Sequence, residues 1–164
     1  MHGCYRRVTR EELDALRAEP VALAAFLFPP GDMPPPVDRA LDIGKDWQAI
    51  HFLLTGDPWA GGGPEAKAVL GGEPISDEDL IGHGPARGLD PEDVAAVAAV
   101  LEALPPAELL SRYDPAALHA GEVYPGGWDH DPERERVLAE HYAALRELFA
   151  ATASRGEALI LYLA

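Results

Sequence analysis

The chain has 164 residues, 48 % of them apolar, and a single cysteine. That length suits one domain with a self-sufficient core, and Cys4 alone excludes an internal disulfide. Twenty-eight acidic residues against 13 basic ones give a formal charge of −15, which repels phosphate backbones, excludes nucleic-acid binding and favours basic partners.

Residues 3–8, GCYRRV, read as a strand. Thr9 with Glu12 three residues on forms a capping box for a helix whose Leu13 and Leu16 face the core, and Pro20 stops it. Residues 21–28 read as a second short helix, and the prolines of 29–36 enforce a surface loop. Residues 41–56 are expected to be the strongest helix of the first half, capped by Asp42, ended by Gly56, and striped with Ile43, Trp47, Ile50 and Leu54. DPWAGGGPEA, 57–66, reads as a flexible loop, 67–75 as holding a short strand that ends in Gly71-Gly72, and 76–80 as an acidic turn.

Asp90 followed by Pro91 is a helix start, with Glu92 and Asp93 at the positive end of the dipole. Val94, Val97, Leu101 and Leu104 form its buried stripe before Pro105-Pro106 ends it. Short helices follow near 106–111 and 115–120, the second capped by Asp114. Asp131 starts a long helix to about Ser154 with Leu138, Tyr142, Leu145 and Phe149 on one face; Gly156 caps it. Residues 158–164, ALILYLA, are apolar on both faces and therefore belong in the middle of a sheet. Helix exceeds strand without βαβ alternation. The expected class is a single-domain α+β fold, helix-rich, with a small mixed sheet of N-terminal, middle and C-terminal strands.

The stretch IGHGPARGLDPEDV, 81–94, carries the most distinctive chemistry. Its glycines at 82, 84 and 88 do not match G-x-G-x-x-G, no P-loop occurs, and Asp90 puts a carboxylate where a phosphate would go. The glycines permit positive φ in a bulged strand and turn. They leave His83 and Arg87 unexplained, and a histidine beside a permanent cation is an anion-recognising pair.

Trp47 and His51 lie one turn apart on a helix and form a core tryptophan with a boundary histidine, or a pocket wall with one polar tip. His119, Glu122, Asp129, His130 and Asp131 have metal-ligand chemistry in loose spacing without a metal motif, so neither a metal nor a cofactor is expected. No nucleophile elbow occurs, and Cys4 reads as a small buried residue. No basic-then-apolar leader opens the chain and no apolar run reaches membrane-spanning length, so a cytoplasmic setting is expected, with no membrane association.

Five blocks, YRRVTREELDAL (5–16), LDIGKDWQAIHFLLTG (41–56), GHGPARGLDPEDV (82–94), RYDPAAL (112–118) and ALILYL (158–163), together resemble the YfbM-like family of small bacterial proteins of unknown function. The resemblance runs in order over nearly the whole chain, 1–164, and implies a single-domain α+β fold. It brings no activity, cofactor or catalytic residue. His83 stands where the pattern has an aromatic. Two functional expectations follow. One is a non-catalytic binding or interaction protein, for instance an inhibitor or immunity-type partner of a basic protein. The other is a small enzyme or a sensor of a small anionic ligand. Its pocket would be shared by Trp47, His51, Arg87, Tyr124 and Trp128, with His83 as a further candidate contact.

Overall fold

In chain order the elements are β1 (Gly3–Val8), α1 (Arg10–Ala18), α2 (Leu23–Leu27), β2 (Ala40–Asp42), α3 (Trp47–Thr55), α4 (Pro64–Leu70), β3 (Glu73–Pro74), β4 (Arg87–Leu89), α5 (Pro91–Ala103), α6 (Pro106–Leu110), α7 (Pro115–Ala120), α8 (Pro132–Ser154) and β5 (Ala158–Leu163). The computed structural model describes residues 1–30, 38–79 and 81–164, so most of the proline-rich loop and Leu80 lie outside the described residues.

The strands form one α+β sheet in the order β2-β1-β5-β4-β3. All four pairings are antiparallel, so the sheet is not mixed. Among the described residues no crossover unit brings two strands parallel. Strand β5 is central, as its doubly apolar sequence requires. Leu159 and Leu161 join Tyr5, Leu89 and the inner faces of α3, α4, α5 and α8 in the larger core. Ala158 and Ile160 join Val8 and the leucines of α1 and α2 in the smaller core on the opposite face.

Local rules account for most boundaries. Thr9 Oγ1 accepts from the Glu12 amide while Glu12 accepts from the Thr9 amide, closing the capping box. Asp114 and Asp131 cap α7 and α8 by accepting from the Ala116 and Glu133 amides. Leu138, Tyr142, Leu145 and Phe149 are fully buried along α8.

Three boundaries depart from expectation. Residues 64–70 are helical, because Pro64 suits a first helical position and the Ala68 and Val69 side chains pack inward; the strand expected to end in Gly71-Gly72 is helix, and Glu73–Pro74, past those glycines, pairs in the sheet. Asp42 closes β2 and accepts from the Gly44 amide; a 3₁₀ turn over Gly44–Asp46 precedes α3, which starts at Trp47 and ends at Gly56 with φ +81°. Asp90 occupies the N-cap position of α5 but makes no side-chain cap bond. Its two carboxylate oxygens instead accept from Arg17 of α1 at 2.8 and 3.2 Å. An outside cation has outbid the local amides, and that pair ties α1 to the start of α5.

Trp47 is wholly buried, and α3 approaches β1 so closely that a Cβ on Gly3 would sit 2.6 Å from the Trp47 Cβ. Trp47→Ala is expected to cost about 3–5 kcal/mol by cavity formation, read from urea melts; a loss under about 1 kcal/mol would contradict its role as a core anchor. Asp90→Ala and Arg17→Ala are each expected to cost about 1 kcal/mol or less, and the double variant no more than either alone. If Asp90→Ala costs as much in the Arg17→Ala background as in the wild type, the carboxylate stabilises α5 by capping after all.

Candidate functional site

The two central neighbours of β5 are unequal in length. Strand β1 pairs with it from Ala158 to Leu163, whereas β4 covers only Leu159 to Leu161, where Arg87 opposes Leu161. The Ala86 carbonyl still accepts from the Ile75 amide, but among the described residues no backbone bond joins 83–86 to β5, and a cleft of about 310 Å³ opens in the notch. Its floor is the ends of β1 and β5, its sides the end of α4 and residues 83–85, and Trp59 and Arg87 stand at its rim.

Each wall is anchored. The Arg87 guanidinium donates through Nη1 to the Gly72 carbonyl at 3.0 Å. Gly72 has φ +89°, and a Cβ there would lie 2.6 Å from the Gly88 carbonyl, so only glycine delivers that acceptor. Trp59 is 66 % exposed, yet its loop is fixed. Asp57 Oδ1 accepts from the Trp59 and Ala60 amides, Gln48 donates to the Pro58 carbonyl at 3.1 Å, and His51 Nε2 lies 3.2 Å from the Ala60 carbonyl. Those amides hold the Asp57 carboxyl below its ordinary range. Asp79 likewise accepts from the Gly82 amide and steadies the turn carrying His83. Gly82 and Gly84 both adopt φ +95°, whereas Gly88 is demanded by close packing, since a Cβ there would meet Leu13 at 2.7 Å.

Two reactive-looking groups on the floor are quiet. Burial, with the nearby Asp42 charge, pushes the Cys4 thiol up to about 11, so it stays protonated at neutral pH. Cys4 is half-buried rather than fully enclosed. The Tyr5 hydroxyl is buried, donates to the Ala68 carbonyl at 3.0 Å and is driven far above the usual tyrosine range by desolvation.

The six residues singled out by sequence do not share one pocket. His83 and Arg87 line the cleft. Trp47 is in the core, its ring 6.0 Å from that of Trp59 and stacked at 5.9 Å on Tyr124. His51 is 1 % exposed and holds the Trp59 loop from behind. Tyr124 and Trp128 border a separate shallow hollow, and Trp128 is buried, with the Arg134 guanidinium 3.8 Å above its ring. Sequence reading missed Trp59 and Tyr162. The signal for Trp59 was Asp57 at the head of a turn: its carboxylate orders a segment whose glycines suggested disorder. In the loose acidic and histidine cluster, His119 Nδ1 meets the Pro115 carbonyl, His130 faces Glu135 and Asp131 caps α8. Among the described residues no three such side chains converge on a metal-sized site.

Fold and cleft together define a small α+β protein with a sheet-end notch. A family model described as a domain of unknown function (DUF1877) matches residues 1–162, and the chain belongs to that family. Protein YfbM of Escherichia coli (strain K12) is 38 % identical over 93 residues, 54 % of this chain and 53 % of that protein, so the match spans about half the length of this relative. The crystal structure of YfbM from Escherichia coli, titled a protein of unknown function, superimposes with a TM-score of 0.72 at 24 % identity over 98 % of both chains. That likeness establishes the fold. No helix among the described residues is long and apolar enough to cross a membrane.

Desolvation lowers the His51 pKa below its ordinary 6.5, partly opposed by the Ala60 carbonyl and Asp57. The unfolded chain therefore takes up this proton first as pH falls. The stability tied to neutral His51 is present above the ordinary histidine range and is lost as pH drops below it. His141 runs the other way, raised by its hydrogen bond to Asp46 at 2.7 Å, so its contribution is present at low pH and lost as pH rises through its folded pKa. Urea melts between about pH 8 and pH 5 are expected to show a smaller acid loss in His51→Gln than in the wild type. Parallel profiles would remove His51 as the acid-sensitive anchor of the Trp59 loop.

Proposed function

We propose that this protein is a non-catalytic binding protein whose sheet-end cleft takes a small anionic ligand, with Arg87 recognising its carboxylate. One observation carries the reading. Acids outnumber bases by 28 to 13, yet Arg87 pairs with no carboxylate among the described residues and spends one N–H on a backbone carbonyl. A guanidinium tethered in this way is aimed, and its free edge suits a bidentate carboxylate. Trp59 and Tyr162 add flat apolar contact beside it. The protonated Cys4 thiol and the engaged Tyr5 hydroxyl favour binding over nucleophilic chemistry. The −15 charge supports long-range attraction of a basic partner and disfavours nucleic acid. A cytoplasmic setting suits a chain with one free thiol.

The experiment is a thermal-shift series with benzoate and succinate at about 1–10 mM, where weak ligands stabilise measurably by mass action. At least one is expected to raise the Tm of the wild type. Arg87→Ala should abolish the rise and Arg87→Lys most of it, since lysine keeps the charge but loses the fork. No rise with either acid, or an equal rise in Arg87→Ala, would overturn the reading.

A further inference from the structure

We propose that the carboxylate held by Arg87 is the C-terminus of an extended peptide, added to the open edge of β5 at Leu163; this rests on the carboxylate reading above. Hydrogen-bond parity decides which edge each residue of β5 faces. His2 and Ala164 exchange both backbone bonds, at 2.6 and 3.1 Å. Antiparallel ladders alternate bonded and non-bonded pairs, so Cys4 with Tyr162 and Arg6 with Ile160 are the bonded pairs between β1 and β5. The odd residues Leu159, Leu161 and Leu163 therefore turn their N–H and C=O toward the other edge. The bonds from the Ile43 amide to Gly3 and from the Arg7 amide to Arg39 fit this parity, because they commit the odd residues of β1 to β2.

Strand β4 meets Leu159 with Leu89 and Leu161 with Arg87, then stops. Continued, the ladder would set Pro85 opposite Leu163, and proline has no N–H to give. Among the described residues no backbone bond joins Leu163 to residues 83–86. One donor and one acceptor of β5 thus face the cleft, spaced for a single residue of extended chain.

The flanking groups define that chain. A ligand strand in line with β4 runs antiparallel to β5 and points its C-terminus at Arg87. Ala86 holds the register opposite Tyr162, its carbonyl accepting from the Ile75 amide at 2.9 Å, so the residue opposite Leu163 is the last of the ligand and its carboxylate meets the guanidinium. The side chain opposite Leu163 shares the face of Tyr5 and Leu161, next to Val69, and is apolar. The residue before it points to the other face, that of Tyr162, which Phe28 braces edge-on at 5.8 Å. Edge addition supplies affinity through the main chain and specificity through alternate side chains.

The test uses the full chain and four probes: an N-acetylated alanine–leucine–alanine–valine peptide with a free carboxylate, its C-terminal amide, the same acid N-methylated at the C-terminal valine, and benzoate. Calorimetry is expected to show the free acid binding at least about tenfold more tightly than the other three, a gap of about 1.4 kcal/mol. In NMR the Leu163 amide should shift and gain exchange protection with the free acid alone. Trp59→Ala, at an exposed position, should weaken the free acid while leaving the melting temperature near that of the wild type. If the free acid, its N-methyl form and benzoate bind alike, strand addition is overturned while the carboxylate reading stands. If the amide binds as tightly as the acid, the peptide C-terminus is overturned. If neither benzoate nor the free acid binds, both proposals fall.

Discussion

A central strand must satisfy backbone groups along two edges, and β5 has a full-length neighbour on only one. Leu159, Ile160 and Leu161 lie between β1 and β4 and between the two apolar cores, so they are fixed from every side. Past Leu161 the support on the β4 edge ends, because Arg87 is the first residue of a three-residue strand and a glycine–proline turn leads into it. Buried N–H and C=O groups are rarely left without partners, and an opening to outside molecules resolves that tension. The cleft is therefore a consequence of unequal strand lengths around β5.

The residues that make the family pattern recognisable mostly work behind the cleft. Trp47 seats α3 against β1, Gln48 bridges the Pro58 carbonyl and the Tyr124 amide, and His51 reaches Ala60. Together they hold a loop whose one large exposed side chain, Trp59, reaches the rim of the cleft. The Gly84–Arg87 block stands opposite, ending the pairing with β5 and leaving the guanidinium at the rim. The aromatic expected at position 83 is a histidine here, and the aromatic walls come from Trp59 and Tyr162.

Legibility followed the range of the forces involved. β1, α1, the stripe of α8 and the central place of β5 were readable because capping pairs and hydrophobic periodicity act within one or two turns. Residues 67–70 were not, since an apolar stretch that short becomes helix or strand according to what it packs on. Asp90 looked like a cap by every local rule and was taken by an arginine 73 residues away. Arg87 and His83 were legible as chemistry in an irregular segment. Their separation from Trp47, His51, Tyr124 and Trp128 was not, because it depends on which strand ends first and on a loop pinned from the core.

The central claim is that Arg87 keeps part of its guanidinium available to an external carboxylate. The direct measurement follows the side-chain Nε–H resonances of the arginines by NMR during a benzoate titration, with the Arg87 peak assigned by its loss in Arg87→Lys. The account predicts that the Arg87 peak moves in a saturable way while those of Arg17 and Arg136, already engaged with carboxylates, stay in place. A stationary Arg87 peak, or equal non-saturating drift of all three, would contradict it.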